Sequence, residues 1–245
     1  TYGDNQPTES VDGGDVDVVV KSPRHPHYAG VNPRKLEALS AVALRDDGTP
    51  DTSRTIDLLA VVDAREGFDY QPRPRLQTSL PEGRWRLMSA WLVYTGQKCA
   101  AENYEPRTWL ADHLDREAMQ HCVRATGDKY REVVGEHFGG TIDSFFGDSF
   151  ELRQDDSLWS TGLFERFARE KGYDLRPWLP ALWYGGASET PYLRYDFGHF
   201  LHTVGMEATI DGLADYCDEV GVDMRQQPHY RFTAELIEAS GRLQR

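Results

Sequence analysis

Apolar and polar positions follow two rhythms along this 245-residue chain, and the change comes near residue 110. Before it, short apolar runs at residues 16–20, 39–44, 56–62 and 85–94 alternate with turn formers, which predicts strands. Asp46-Asp47-Gly48-Thr49-Pro50, between the second and third runs, predicts a hairpin. Pro72, Pro74 and Pro81 predict a connector, after which Gly83-Arg84-Trp85-Arg86-Leu87 starts a strong strand. Beyond residue 110 the spacing turns helical. Ala118, Cys122, Ala125, Val133 and Val134 mark one face of a helix that ends at Gly139-Gly140, with Gly127 expected to weaken or kink it. A second helix starts near Ser160 as N-cap, carries Leu163, Phe164, Phe167 and Ala168 on one side, and closes at Gly172. Thr190-Pro191 opens a third, which runs through Phe197, Phe200, Leu201, Val204, Leu213 and Cys217 to Gly221. Short strands are expected at residues 142–146 and 222–228. Strand and helix in this order are the βα grammar of a parallel sheet or barrel.

The strand ends hold the candidate chemistry. The apolar run at residues 142–146 stops at Gly147 and delivers two acids, Asp148 and Glu151. Acids at the C-terminal end of a buried strand are how α/β barrels build active sites. They would serve as general acid, as metal ligands, or as both; the plain alternative is a solvated turn with Asp148 as a cap. Asp112-His113 follows Trp109-Leu110-Ala111, which also reads as a strand end. That pair could orient a substrate hydroxyl, or Asp112 could simply stand at a helix N-terminus with His113 beside it. Gln226, Gln227 and His229 end the last strand, and their side chains suit hydroxyl-rich substrates as well as an ordinary polar loop. Trp159, Tyr173, Trp178, Trp183, Tyr184 and Tyr192 offer flat apolar faces for a sugar ring, or for core packing. Asp155-Asp156 and Glu165 read as solvated, with a calcium role as the alternative for the first pair.

Composition narrows the classes. A net charge of −13 argues against nucleic acid, whose phosphates need a positive field, and suits a neutral substrate or a bound cation. No apolar run approaches the roughly 18 to 20 residues of a membrane span. No basic-then-apolar signal segment opens the chain, and Thr1 reads as a cut or processed start. Cys99, Cys122 and Cys217 lack metal-site spacing and read as buried thiols, with a Cys99–Cys122 bridge as the alternative. Walker, dinucleotide, nucleophile-elbow and zinc-protease motifs are not found in the sequence.

Several strings together resemble glycoside hydrolase family 106, the family of α-L-rhamnosidases. They are Phe145-Phe146-Gly147-Asp148-Ser149-Phe150-Glu151, Trp159-Ser160, Phe164-Glu165-Arg166-Phe167 and Lys171-Gly172-Tyr173-Asp174-Leu175-Arg176-Pro177-Trp178-Leu179-Pro180-Ala181-Leu182. Gly83-Arg84-Trp85-Arg86-Leu87, Thr95-Gly96-Gln97, Asp112-His113-Leu114, Arg194-Tyr195-Asp196 and Arg225-Gln226-Gln227-Pro228 extend the likeness over roughly residues 80–245. The resemblance implies an α/β fold that is part of a (β/α)8 TIM-like barrel, with a β-rich N-terminal or inserted segment. On that reading residues 1–82 are a β-rich accessory segment and residues 83–245 a partial barrel. It further implies an exported enzyme, extracellular or periplasmic, that is inverting and calcium-dependent; the metal ligands stay unknown. Glu151 then looks like the general acid and Asp148 a neighbouring site carboxylate. Asp112, His113, Trp159, Gln226, Gln227 and His229 are expected to line the sugar site. The family's base, a glutamate on the opposite sugar face about 6.5 to 9.5 Å from the acid, follows the helix matching residues 234–239. Glu235 and Glu238 lie on that helix and do not match, so the base is expected outside this chain. The rivals are a non-catalytic carbohydrate-binding module and another metal-dependent hydrolase using Asp148 and Glu151.

Overall fold

A computed structural model describes residues 10–22, 33–64, 69–70, 73–94, 110–149 and 158–227. The chain order is β1 (Ser10–Val19), β2 (Arg34–Leu44), β3 (Pro50–Asp57), β4 (Val62–Asp63), β5 (Arg75–Val93), α1 (Arg116–Val134), β6 (Ser144–Gly147), α2 (Leu163–Lys171), α3 (Leu179–Tyr184), α4 (Thr190–Met206), α5 (Gly212–Val220) and β7 (Asp223–Gln226). The fold is mixed α/β and divides into two compact units. The first comprises Thr1–Gln97 and Thr161–Asp196; the second comprises Lys98–Ser160 and Phe197–Arg245. Helix α4 runs across the division.

The first unit is an antiparallel sheet in the order β1-β5-β2-β3, with β4 also on β5. The hairpin expected at Asp46–Pro50 forms: Leu44 pairs with Pro50, and the Arg45 amide donates to the Thr49 carbonyl at 2.9 Å. The strand after it ends earlier than the apolar run suggests, because residues 59–61 tighten into a 3₁₀ turn. The connector expected around Pro81 is instead the middle of β5. Pro81 lacks an N–H and is confined to edges and irregularities of a sheet. Here residues 81–83 bulge out opposite Gly13, between the pairs Asp12–Arg84 and Gly14–Leu80. A side chain at Gly13 would meet the Pro81 carbonyl oxygen at 2.1 Å, so the bulge needs that glycine. The boundary expected between residues 82 and 83 thus falls inside one strand. Leu39, Ala41, Leu76, Leu80, Trp85, Leu87 and Trp91 form the apolar core of the sheet.

Helix α2 buries Leu163, Phe164 and Phe167 as its apolar spacing predicts and stops at Gly172, which has φ of 81°. The chain then turns through Asp174 and Arg176. Arg176 donates to the Glu37 carbonyl of β2 at 3.1 Å, ion-pairs with Glu165 and Asp174, and lies over the Phe164 ring at 4.5 Å. Burial works to raise the Glu165 carboxyl, but the Arg176 hydrogen bond, a backbone hydrogen bond and the charges of Arg176 and Lys35 together outweigh it and hold the group below its ordinary value.

The second unit joins β6 and β7 as a parallel pair, from Ser144–Asp223 to Gly147–Gln226. This is the parallel pairing that the βα rhythm predicts. Helix α1 starts where Asp115 accepts hydrogen bonds from the Glu117 and Ala118 amides. Its apolar face is not the one expected. Cys122, Ala125 and Val133 are exposed, and the one fully buried residue is Gly127. The helix continues unbroken through that glycine to Val134. Gly127 admits Tyr216 of α5, whose ring would lie 2.4 Å from a Cβ at position 127. Tyr216 donates to Asp128 at 3.0 Å and stacks on Phe145 of β6. The aliphatic positions misled because α1 meets α5 through charge: Arg116 pairs with Asp215, and Arg124 with Glu219. Cys217 is buried and its thiol is pushed up to about 11 by that burial. After Met206 the third helix widens into a π turn, Glu207–Asp211, whose Ala208, Thr209, Ile210 and Asp211 are all buried. No helix among the described residues is long and apolar enough to cross a membrane.

Candidate active site

The ends of β6 and β7 carry the first group of polar residues. Strand β6 is half-buried rather than buried: Phe145 packs between Phe138 and Tyr216, while Phe146, on the alternate face, is 63% exposed. Asp148 follows directly and is exposed, with Oδ1 accepting from the Ser149 amide at 2.7 Å. Across the pair, the Gln227 amide donates to the Gly147 carbonyl at 3.0 Å. The Gln226 side chain reaches back: Nε2 donates to the Asp148 carbonyl at 2.6 Å and to the Gln227 carbonyl at 3.1 Å. Asp148, Gln226 and Gln227 are therefore brought together at one strand end, as their positions in sequence suggest. Glu151 and His229 lie outside the described residues.

Asp112 builds a second group. The described residues ahead of it, Leu110 and Ala111, are not strand, so the strand end expected there is a turn. Asp112 Oδ1 accepts from the Leu114 amide at 3.0 Å, and Oδ2 accepts from the Ser160 hydroxyl at 2.6 Å. Ser160 is buried, and this bond replaces its expected role as cap of α2, whose N-cap is Gly162. With one bond on each oxygen, the exposed Asp112 carboxylate keeps lone pairs for a further donor. His113 is held by Nδ1 against the Ala111 carbonyl at 2.8 Å. Burial lowers its pKa from the ordinary 6.5, opposed by the Ala111 bond and the Asp112 charge. Trp159 is 7% exposed and stacks on Phe197 with centroids 5.7 Å apart, so its ring belongs to the core of this unit. Two partners escaped the sequence reading, Ser160 for Asp112 and Gly147 for Gln226. The abrupt glycine between an apolar run and an acid was the only signal for the second.

In this mixed α/β fold the end of the parallel pair gathers one carboxylate, Asp148, with the amides of Gln226 and Gln227. Among solved structures the chain is similar to a rhamnosidase from Novosphingobium sp. PP1Y, with a TM-score of 0.58 and 22% identity over 79% of this chain. That likeness is one of fold. The chain spans 19% of that structure's length. The family model of glycoside hydrolase family 106, alpha-L-rhamnosidase, matches residues 37–235, and the chain belongs to this family. No curated protein matches it.

Proposed function

We propose that this chain is a segment of an inverting α-L-rhamnosidase-type glycoside hydrolase, holding part of a (β/α)8 barrel. Glu151 protonates the glycosidic oxygen as the bond breaks, and a base supplied elsewhere in the polypeptide activates water on the opposite sugar face. The observation that carries the reading is the joined end of β6 and β7, which sets Asp148 beside Gln226 and Gln227 three residues ahead of Glu151 in a chain of this family. In this reading Glu151 is kept protonated for its task by partial burial or by a nearby carboxylate such as Asp148. Asp112, His113 and His229 take sugar hydroxyls in the same reading, with a saccharide as the partner. Export to the periplasm or outside the cell belongs to it too. Calcium enters through the family resemblance alone: among the described residues no group of three or more His, Cys, Asp or Glu stands ready to hold a metal.

Glu151→Gln in the full-length enzyme is the test. Loss of an acid catalyst costs on the order of 10² to 10⁴ in turnover on an unactivated rhamnoside. Near-normal turnover would end the assignment. A second reading, a carbohydrate-binding module, is favoured by the exposed rings of Tyr184, Tyr192 and Tyr195, at 42%, 75% and 68%. Calorimetry with rhamnose-containing oligosaccharides separates the two: binding without hydrolysis supports the module, and no binding removes it.

A further inference from the structure

We propose that Gln226 is a positioning residue that fixes the backbone leading to the acid, with Gly147 as its obligatory socket; this rests on the reading of Glu151 above. The backbone ladder between β6 and β7 ends at the pair Gly147–Gln226. Beyond it, the Gln226 carboxamide adds one more rung from a side chain. Both of its N–H groups are spent on main-chain carbonyls, those of Asp148 at 2.6 Å and Gln227 at 3.1 Å. Only the NH₂ end of an amide can face two carbonyl oxygens, which sets the orientation of the group. Its Oε1 is thereby turned onto the backbone of Gly147, where a Cβ would stand 1.8 Å away, with Cδ at 2.7 Å. No side chain at position 147 is compatible with the amide in this place.

The Gln227 amide closes the same junction from the main chain, donating to the Gly147 carbonyl at 3.0 Å. The peptide that leaves β6 is thus held on two consecutive carbonyls, those of Gly147 and Asp148. A sugar contact from Gln226, the role its chemistry suggests in sequence, would have to be made without its donors. Its work is to hold the Gly147–Asp148 peptide where the chain leaves the strand, and the donor count separates this role from direct binding.

The experiment is a double-mutant cycle of Gly147→Ala and Gln226→Ala in the full-length enzyme, read on an alkyl rhamnoside and on a dinitrophenyl rhamnoside. Misplacement of a catalytic group by about 1 Å can cost on the order of 10²-fold. Each single variant is expected to lose about 10- to 100-fold in kcat on the alkyl substrate, with KM moving less than about threefold. The dinitrophenyl leaving group needs little protonation, so the loss there is smaller. The double variant should be no worse than the poorer single variant by more than about twofold, because both changes remove one interaction. Fully multiplicative losses overturn the proposal. So does a rise in KM at constant kcat for Gln226→Ala, which would make the amide a sugar contact. Unchanged melting temperatures in the single variants confirm that folding is not what is read. Glu151→Gln run alongside keeps the two readings apart: normal turnover there with strong 147–226 coupling in the other variants defeats the acid assignment and leaves the clamp standing.

Discussion

The sheet unit and the parallel-strand unit bury their apolar residues in different ways. In the first, residues 37–43 of β2 are all buried, so both faces of that strand are covered. Leu39, Trp91 and Phe167 have 1% or less of their surface exposed. In the second, β6 and β7 contain no fully buried residue, and α1 contributes only a glycine to the interior. Its deep core comes from Phe200, Val204, Met206 and Ile210 in α4 and the π turn. The α1–α5 contact then rests on exposed charge pairs, worth about 0 to 1 kcal/mol each, and on one ring seated in a notch. Stability in the sheet unit is spread over many large side chains, whereas the helix contact depends on a single steric fit.

The comparison makes graded predictions. Phe167→Ala removes a fully buried ring and should cost about 3 to 5 kcal/mol in chemical denaturation; a loss below about 1 kcal/mol would show that the sheet unit relaxes around the gap. Gly127→Ala should cost about 1 to 3 kcal/mol by overpacking against Tyr216, despite the better helix propensity of alanine. With Tyr216→Ala already present the same change should become neutral or stabilising, and if it does not, the notch is not what holds α1. Asp115→Ala should cost about 1 kcal/mol through loss of the α1 cap, seen as fraying in amide exchange of the first helical turn.

The smallest effect concerns pH. The folded state holds His113 below its ordinary pKa of 6.5, so the unfolded chain binds the proton more readily. The His113 contribution is complete above about pH 6.5 and is lost as the pH falls below it. Melting temperatures of the His113→Asn variant should therefore decline less between pH 7 and pH 5 than those of the parent; equal slopes would show that burial of the ring is not felt.

Local chemistry was readable and long-range fit was not. The Asp46–Pro50 hairpin, the stop at Gly172 and the Thr190-Pro191 helix start follow from the backbone preferences of those residues alone. The parallel direction of the strands before Asp148 and Gln227 follows from the βα rhythm, but that they pair with each other is shown by the fold. Pro81 was misread because the device that admits it, Gly13, stands on another strand. The buried side of α1 was misread because its partner offers aspartate, glutamate and tyrosine, which reward arginine and glycine rather than aliphatic residues. At the candidate site the places of Asp148, Gln226 and Gln227 at strand ends were legible. Their partners were not: whether an amide serves sugar or backbone depends on which carbonyls the fold brings within 3 Å.

One feature of the sheet bears on how the protein behaves in company. Among the described residues, β1 ends the sheet and carries Asp12, Asp15 and Asp17, all exposed. An open strand edge invites another chain to pair with it, the first step of fibril growth. Arg75 neutralises Asp17 through two 2.6 Å hydrogen bonds, but a second copy laid along β1 would still bring Asp12 and Asp15 toward their own counterparts. The β1 rim of the sheet is thus made self-repellent, and pairing of like chains along it is resisted by its own charges.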